Sequence, residues 1–499
     1  MTLSVTNTLT GEREEFEPRG DEVLLYVCGL TVSDHAHLGH ARLWVHADMM
    51  HRWLEYQGYD VRHVENFTDV NEKIVARVGE DDLGETEATV ADYFTNSVIQ
   101  DMRELNLKRA TVYPRVSEHI PTIIDLVESL LENGCAYESN GSVYFDVTAF
   151  DGYGDLSNQQ LDEMDTQSPA DERAEKQHPA DFALWKAGAV DPDDVTEHRS
   201  ENLDSLETAR GQTWSAPWGE GRPGWHIECS AMSMDHLDET LDIHVGGRDL
   251  VFPHHENEVA QSEAATNQQF ARYWLHVGLL QSAGDKMSSS IGNILTVKEA
   301  LDEYGVNVLR MFYLATGYRS EQTLGESELA EATERWDQLS RAYETAVEAS
   351  NSTDAYAVVE SESLRSSVSE TQSSFTSAMN DDFNVRKAMA ALLELATAVN
   401  RHIDSQERYD YYGLYMAIET FEALGGDVCG LEFGNRSTGD GTVEVEVAEE
   451  LIELILDVRE TERETGNYDR ADKLRERLND IGVEVEDNGE KTTYRVREY

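Results

Sequence analysis

Cysteine is scarce in this chain: four in 499 residues, at positions 28, 135, 229 and 429. So few, so irregularly spaced, exclude a disulfide framework and fit a reducing compartment. No apolar run approaches the ~20 residues that cross a bilayer, and Met1 to Glu15 lacks the basic-then-apolar order of a secretion signal. A soluble, cytoplasmic protein without a membrane partner is therefore expected. Lysine is also rare, nine against 31 arginines, and 40 basic residues against 98 acidic ones leave a formal net charge of −58. At ordinary salt such a field repels polyanions. Cys135 and Cys429 have no evident partner and are expected to be ordinary buried thiols.

Chemistry concentrates where the β-rich run Val23-Leu24-Leu25-Tyr26-Val27 ends in Cys28 and leads into His37-Leu38-Gly39-His40. The run reads as a strand buried on both faces of a parallel sheet. Leu43, Ala47, Met50 and Leu54 follow at helical spacing, and Gly58 sits where a cap would close the helix. His37 to His40 then open that helix. Its amides and dipole favour phosphate oxygens, and Gly39 permits close approach. Taken alone, His-x-Gly-His fits an ordinary helix start as well. Far downstream, Lys286-Met287-Ser288-Ser289-Ser290 places a lysine among small hydroxyls, suited to a phosphate clamp or to a plain polar turn.

Cys28, Cys229, His254 and Glu258 offer two sulfurs, a nitrogen and an oxygen, a set that zinc accepts. His254 and Glu258 are four apart, just after Pro253, so both side chains would share one helix face. Two unrelated buried cysteines, or a closed structural zinc, are the plainer alternatives.

Together and in this order, His37 to His40 and the Lys286 loop resemble the two signature motifs of class I aminoacyl-tRNA synthetases. Trp225-His226-Ile227-Glu228-Cys229 and Phe252-Pro253-His254-His255-Glu256-Asn257-Glu258 further resemble cysteinyl-tRNA synthetase, as do Asn66 to Asp69, Asp181 to Lys186, Gly221 to Trp225, Asp242 to Leu250 and the chain from Leu451 onward. The resemblance implies an α/β fold: a Rossmann-like parallel-sheet catalytic domain with an insertion, followed by a helical bundle domain and a small C-terminal anticodon-binding domain. It implies activation of L-cysteine with ATP to cysteinyl adenylate, then transfer to the 3′-terminal ribose of tRNA(Cys). One Zn2+ per chain, on Cys28, Cys229, His254 and Glu258, would select the cysteine thiolate, and ATP would arrive with Mg2+.

The resemblance also distributes roles. His37, His40 and Lys286 would be catalytic, while Gly39, Gly246, Gly247, Asp249 and Ser289 would hold ATP. Thr68, Trp225 and His244 would line the cysteine pocket, although a buried core role suits Trp225 nearly as well and His244 equally reads as a satisfied core histidine. Arg463, Tyr468, Asp472 and Arg475 would meet the tRNA anticodon; a solvated helix with salt bridges is the plain alternative. Two positions depart from the family. Ser289 stands where a lysine is usual, removing one cation from the pyrophosphate end, and Val245 stands where glycine is common. A cysteine-activating ligase acting on a small-molecule amine is the rival enzyme, and a non-catalytic RNA-binding protein the rival class.

The expected organisation is 1–115 for the first half of the catalytic domain, 116–224 for the insertion, and 225–325 for the second half with the lysine loop. A helical domain over 326–430, a linker over 431–447 and an anticodon-binding domain over 448–499 complete a chain expected to act as a monomer. Asn140-Gly141 predicts a hairpin turn, and 191–212 a plain surface loop. Trp336, Leu339, Tyr343 and Val347 predict a buried stripe, and the serine-rich 350–374 a loose connection.

The acidity itself resembles that of proteins that work in concentrated salt, where the screening length falls to about 3 Å at 1 M and self-repulsion is muted. Folding and activity are therefore expected to require molar potassium or sodium chloride. Circular dichroism and turnover measured across a salt series check this; full activity in dilute buffer would contradict it.

Overall fold

In the computed structural model the described residues are 2–80, 83–161, 164, 174–196, 198–200, 203, 208–282, 295–434, 459, 470, 474, 483–488 and 491–496. The chain divides into two units, Met1–Phe433 and Gly434–Tyr499.

Val, Leu, Ile and Tyr dominate four strands that pair in parallel in the order Ala271–Val277, Leu241–Gly247, Glu22–Thr31, Asp60–Thr68. Their side chains are buried on both faces, as an all-parallel sheet requires. The order puts strands from two distant stretches side by side, so the carboxyl end that carries Cys28 lies next to the one that carries Gly246. The first strand outruns its expected end at Cys28 and continues to Thr31 through a register shift between Val27 and Leu30. Gly29 explains the bulge: its N–H donates to Asn66 Oδ1 at 2.9 Å, and a Cβ there would collide with the Asn66 carbonyl oxygen.

Helix Leu38–Tyr56 starts where expected. His37 is its N-cap, accepting from the Gly39 N–H, while His40 Nδ1 accepts from the His37 N–H. Two imidazoles thus build the capping box that Ser/Thr and Glu usually supply. Gly58, at φ 92°, follows the helix end. The helix is pinned from below by a buried ion pair, Arg310 Nη2 to Asp48 Oδ2 at 2.5 Å, with Arg52 Nε on the same oxygen at 2.8 Å.

The insertion folds around a five-stranded antiparallel sheet in the order Ala136–Ser139, Ser142–Phe145, Phe182–Ala187, Gly219–Pro223, Trp214–Ala216. Asn140 and Gly141, at φ 52° and 86°, make the predicted hairpin turn. The expected surface loop over 191–212 needs correction. Among its described residues, Pro192–Thr196 is a short helix, and Val195 is buried with Val75, Ala76 and Val190.

Helices Glu326–Ser350, Glu362–Met379, Val385–Ser405 and Tyr411–Thr420 make the helical region. Its serine-rich stretch 350–374 is a connection only over 351–361; from Glu362 on, Leu364, Val368, Thr371 and Phe375 recur at helical spacing and bury one face of Glu362–Met379. The predicted stripe on the first helix is likewise offset. Leu339 is buried, but Trp336, Tyr343 and Val347 are half-buried, and the inward residues are Leu329, Ala332, Ala342, Ala346 and Ala349. Cys429 is buried as expected, whereas Cys135 is half-buried.

In the second unit, Val483–Asn488 pairs antiparallel with Lys491–Val496. Arg463, Tyr468, Asp472 and Arg475 lie outside the described residues, as do 435–447 of the expected linker and the Lys286 loop with Ser289; Leu431, at the linker's expected start, is buried. No helix among the described residues is long and apolar enough to cross a membrane.

One buried acid on the central sheet has a measurable signature. Glu65 Oε1 has no hydrogen-bond partner, and burial pushes the carboxyl pKa up to about 8, against a hydrogen bond from Trp44 that lowers it. The folded state then keeps a proton that the unfolded chain releases near 4.5, so this group's contribution is full below that pH and is lost as pH rises towards 8. Glu65→Gln should remove that loss. Denaturation midpoints in concentrated salt should show the wild type falling relative to the variant between those pH values; parallel curves would refute it.

Candidate functional site

The bulged strand, the helix Trp225–His236 and the segment leading into helix Glu256–Thr266 converge at the sheet's carboxyl edge. Each brings one or two donors. Cys28 Sγ lies 4.0 Å from Cys229 Sγ and 3.6 Å from His254 Nε2, and His254 Nε2 lies 3.0 Å from Glu258 Oε1. All four side chains are buried and their donor atoms fall within 4.8 Å of one another. His254 sits in an irregular turn, Val251–His255, rather than in the first turn of the α-helix predicted after Pro253. The two side chains still meet.

These donors fit a cation. Glu258 Oε1 faces His254 without making a hydrogen bond, and it is buried. Burial alone would lower the His254 pKa, but the Cys229 sulfur and the Glu258 carboxylate carry it up to about 10. Donation of its S–H to the Cys28 sulfur, together with burial, drives the Cys229 pKa well above its ordinary value. The cluster therefore attracts positive charge, and two sulfurs with an imidazole and a carboxylate suit Zn2+ better than Mg2+ or Ca2+.

A shell of polar groups positions the donors. His226 Nδ1 lies 2.9 Å from His254 Nδ1. Burial, then the charge on His254, hold the His226 pKa well below its usual value. His226 Nδ1 can then accept a hydrogen bond from His254 Nδ1–H, which points His254 Nε2 at the cluster as the ligating atom. His244 Nε2 lies 3.0 Å from Glu258 Oε2, and its ring stacks on Trp274 at 4.1 Å. His244 is fully buried behind Glu258. Asn66 Oδ1 accepts from Tyr26 Oη–H at 2.8 Å and lies 3.9 Å from Cys229 Sγ. Thr68 is buried, its hydroxyl 3.5 Å from Glu228 Oε2. Trp225 is 44% exposed, so a core role is excluded; its ring leans over His254 at 4.4 Å.

The helix start that carries His37 and His40 follows Cys28 along the chain. His37 and His40 stack at 3.7 Å and 14°, too close for both to be charged. Burial, then the charge of His37, push the His40 pKa down to about 3, and burial lowers that of His37. With both Nδ1 atoms accepting backbone N–H groups, each neutral ring carries its proton on Nε2. Both can donate to anionic oxygens. A Cβ on Gly246 would collide with the ring of buried His255. Gly247 lies against the exposed Asp249 carboxylate.

Sequence reasoning brought out the four donors but missed His226, Asn66 and His255. His226, three residues before Cys229, was within the quoted motif, and its one-turn spacing was the available signal.

Three family models match the chain: a class I (C) tRNA synthetase catalytic domain over residues 15–334, a DALR domain over 374–434, and a cysteinyl-tRNA ligase anticodon binding domain over 449–495. A cysteine--tRNA ligase of Haloarcula marismortui is 61% identical over 99% of this chain and 100% of its own length. One from Halobacterium salinarum is 60% identical, with the same coverage, and one from Thermococcus onnurineus is 41% identical, covering 99% of both. Among solved structures, Mycobacterium tuberculosis methionyl-tRNA synthetase with methionyl-adenylate shares the fold at a TM-score of 0.60 and 14% identity, covering 82% of this chain and 92% of that one.

Replacing His226 by Phe removes the acceptor from His254 while leaving the four donors intact. Zinc affinity should fall about 10- to 100-fold, read by competition with a chromophoric chelator. An unchanged affinity would show that His254 needs no partner.

Proposed function

The chain belongs to the cysteine--tRNA ligase family of class I synthetases, and from that premise we propose that it activates L-cysteine with ATP and transfers it to the 3′-terminal ribose of tRNA(Cys), with Zn2+ on Cys28, Cys229, His254 and Glu258 choosing the amino acid. The observation behind the zinc assignment is the buried four-donor cluster. When bound, zinc supplies a sulfur-seeking position that a thiolate fills and a hydroxyl fills poorly. A site built on one strong contact of this kind rejects the analogue that lacks it by roughly 10⁴-fold or more, without an editing domain.

The chain's own groups do the rest by positioning and charge stabilisation. His37 and His40 donate from Nε2 to the triphosphate, and Lys286 closes on it from the signature loop. Gly39, Gly247, Asp249 and Ser289 bound the nucleotide, which arrives with Mg2+, and Gly246 borders it while making room for His255. Trp225 roofs the amino-acid end and Thr68 lies at its floor, while His244 holds Glu258 rather than substrate. The substrate carboxylate attacks the α-phosphorus and pyrophosphate leaves; a ribose hydroxyl of the tRNA then attacks the activated carbonyl, and AMP leaves as the ester forms. Arg463, Tyr468, Asp472 and Arg475 read the anticodon. The enzyme works as a monomer in the cytoplasm, where its four unpaired thiols stay reduced.

Pyrophosphate exchange in molar potassium chloride tests the reading. Cysteine should support exchange and serine should not, and charging of tRNA(Cys) should follow. Stripping the metal should abolish exchange with cysteine, and added zinc should restore it. Exchange that survives metal removal with its preference for cysteine intact would overturn the zinc assignment.

A further inference from the structure

A second cluster of metal-ligating side chains lies away from the donors above, where the insertion leaves the catalytic sheet. His119, Asp235 and His236 bring one donor atom each within 4.8 Å of the others. His119 Nε2 lies 2.8 Å from His236 Nε2 and 3.6 Å from Asp235 Oδ2, and the latter two are 3.9 Å apart.

The local bonding points the lone pairs inward. His119 Nδ1 lies 2.7 Å from the Arg115 carbonyl oxygen. A carbonyl only accepts, so Nδ1 carries the proton and the neutral ring presents a bare Nε2 to the other two groups. This is the backbone bond that typically orients a metal-bound histidine. The segment that supplies it is held firmly: Ser117 N–H and Oγ–H donate to the two Asp69 carboxylate oxygens at 2.9 and 2.5 Å. His119 is buried, while Asp235 is about half exposed, leaving a side open to water. A tetrahedral ion with bonds of about 2.0 Å needs nitrogens about 3.3 Å apart. The two rings need part by only a fraction of an ångström.

We propose that His119 Nε2, His236 Nε2 and Asp235 Oδ2 form a second, solvent-open site for a first-row divalent cation such as Zn2+. Two imidazoles and one carboxylate suit that class better than Mg2+ or Ca2+. His236 must shift its proton to Nδ1 to present Nε2, and the ion takes the place of that proton. The site joins two pieces of chain: the Arg115–Ile120 turn, and the last turn of helix Trp225–His236. Cys229 lies seven residues before His236, two turns and about 10 Å along the same helix face. A cation here braces the helix that brings Cys229 to the first cluster.

The test counts metal on the full-length protein. Wild type, His236→Ala and Asp235→Asn are equilibrated with Zn2+ alone in molar potassium chloride, freed of unbound ion, and assayed for zinc per chain by plasma mass spectrometry. Each variant should hold one zinc fewer than wild type, and zinc should raise the wild-type melting temperature more than theirs. Asp235 is half in solvent, so its variant tests the site without disturbing packing. Cys229→Ser should remove a different ion and leave this one, so the result stands apart from the reading of the first cluster. Equal zinc counts in wild type, His236→Ala and Asp235→Asn would overturn the proposal.

Discussion

Two thiols, an imidazole and a carboxylate share one buried space, and Glu258 Oε1 among them has no hydrogen bond. Cys28, Cys229 and Glu258 are all acids, and ionising them together in a low-dielectric interior without a counter-charge is prohibitive. The consequences radiate outward. Burial and the nearby sulfurs push the Tyr26 pKa well above its ordinary value, and the Cys28 thiol is raised by burial and Glu258 despite a hydrogen bond from Cys229 that lowers it. In the absence of an ion, the compensating charge falls on His254. The bulge at Gly29, the turn at Val251–His255 and the shell of histidines are all arranged around this requirement.

Surface electrostatics, by contrast, contributes little to holding the fold. Pairs such as Arg335–Glu331 and Arg341–Asp337 are well exposed; in molar salt such pairs are screened within a few ångströms and add little. Stability then rests on burial and on interior pairs such as Arg310–Asp48, which salt reaches poorly. Two close relatives come from halophilic archaea. The −58 charge therefore describes a surface adapted to its solvent, and it need not oppose a tRNA whose own field is screened in the same way.

What could be read without coordinates was whatever is local. The His37 cap, the Asn140-Gly141 turn and the His254/Glu258 pair lie within a few residues, where spacing maps directly onto geometry. Composition misled where it competed with periodicity: the serines of 350–374 suggested a loose connection, but from Glu362 on Leu364, Val368, Thr371 and Phe375 decide for helix because burying one face outweighs the small propensity cost of serine. Exposure of Trp225 was not legible, since nothing in the motif says whether an aromatic roofs a pocket or fills a core. Nor was the His226–His254 contact, which depends on where helix Trp225–His236 meets the Val251–His255 turn and on which ring nitrogen holds the proton.

That proton placement links the two ends of the site. His37, His40 and His226 all have pKa values held low by burial, so each is a neutral ring whose single proton is assigned by its partners. Neutral imidazoles are poor counter-ions but directional donors and acceptors. At the start of helix Leu38–Tyr56, this gives donors already aimed, without two stacked cations repelling each other at 3.7 Å. At the sulfur end it leaves His226 able to accept from His254 and so keeps Nε2 on the cluster. Charging these rings would undo both arrangements, because an imidazolium has no lone pair with which to cap a helix or accept from a neighbour. Burial of the histidines is thus what keeps each ring in the single tautomer its position requires.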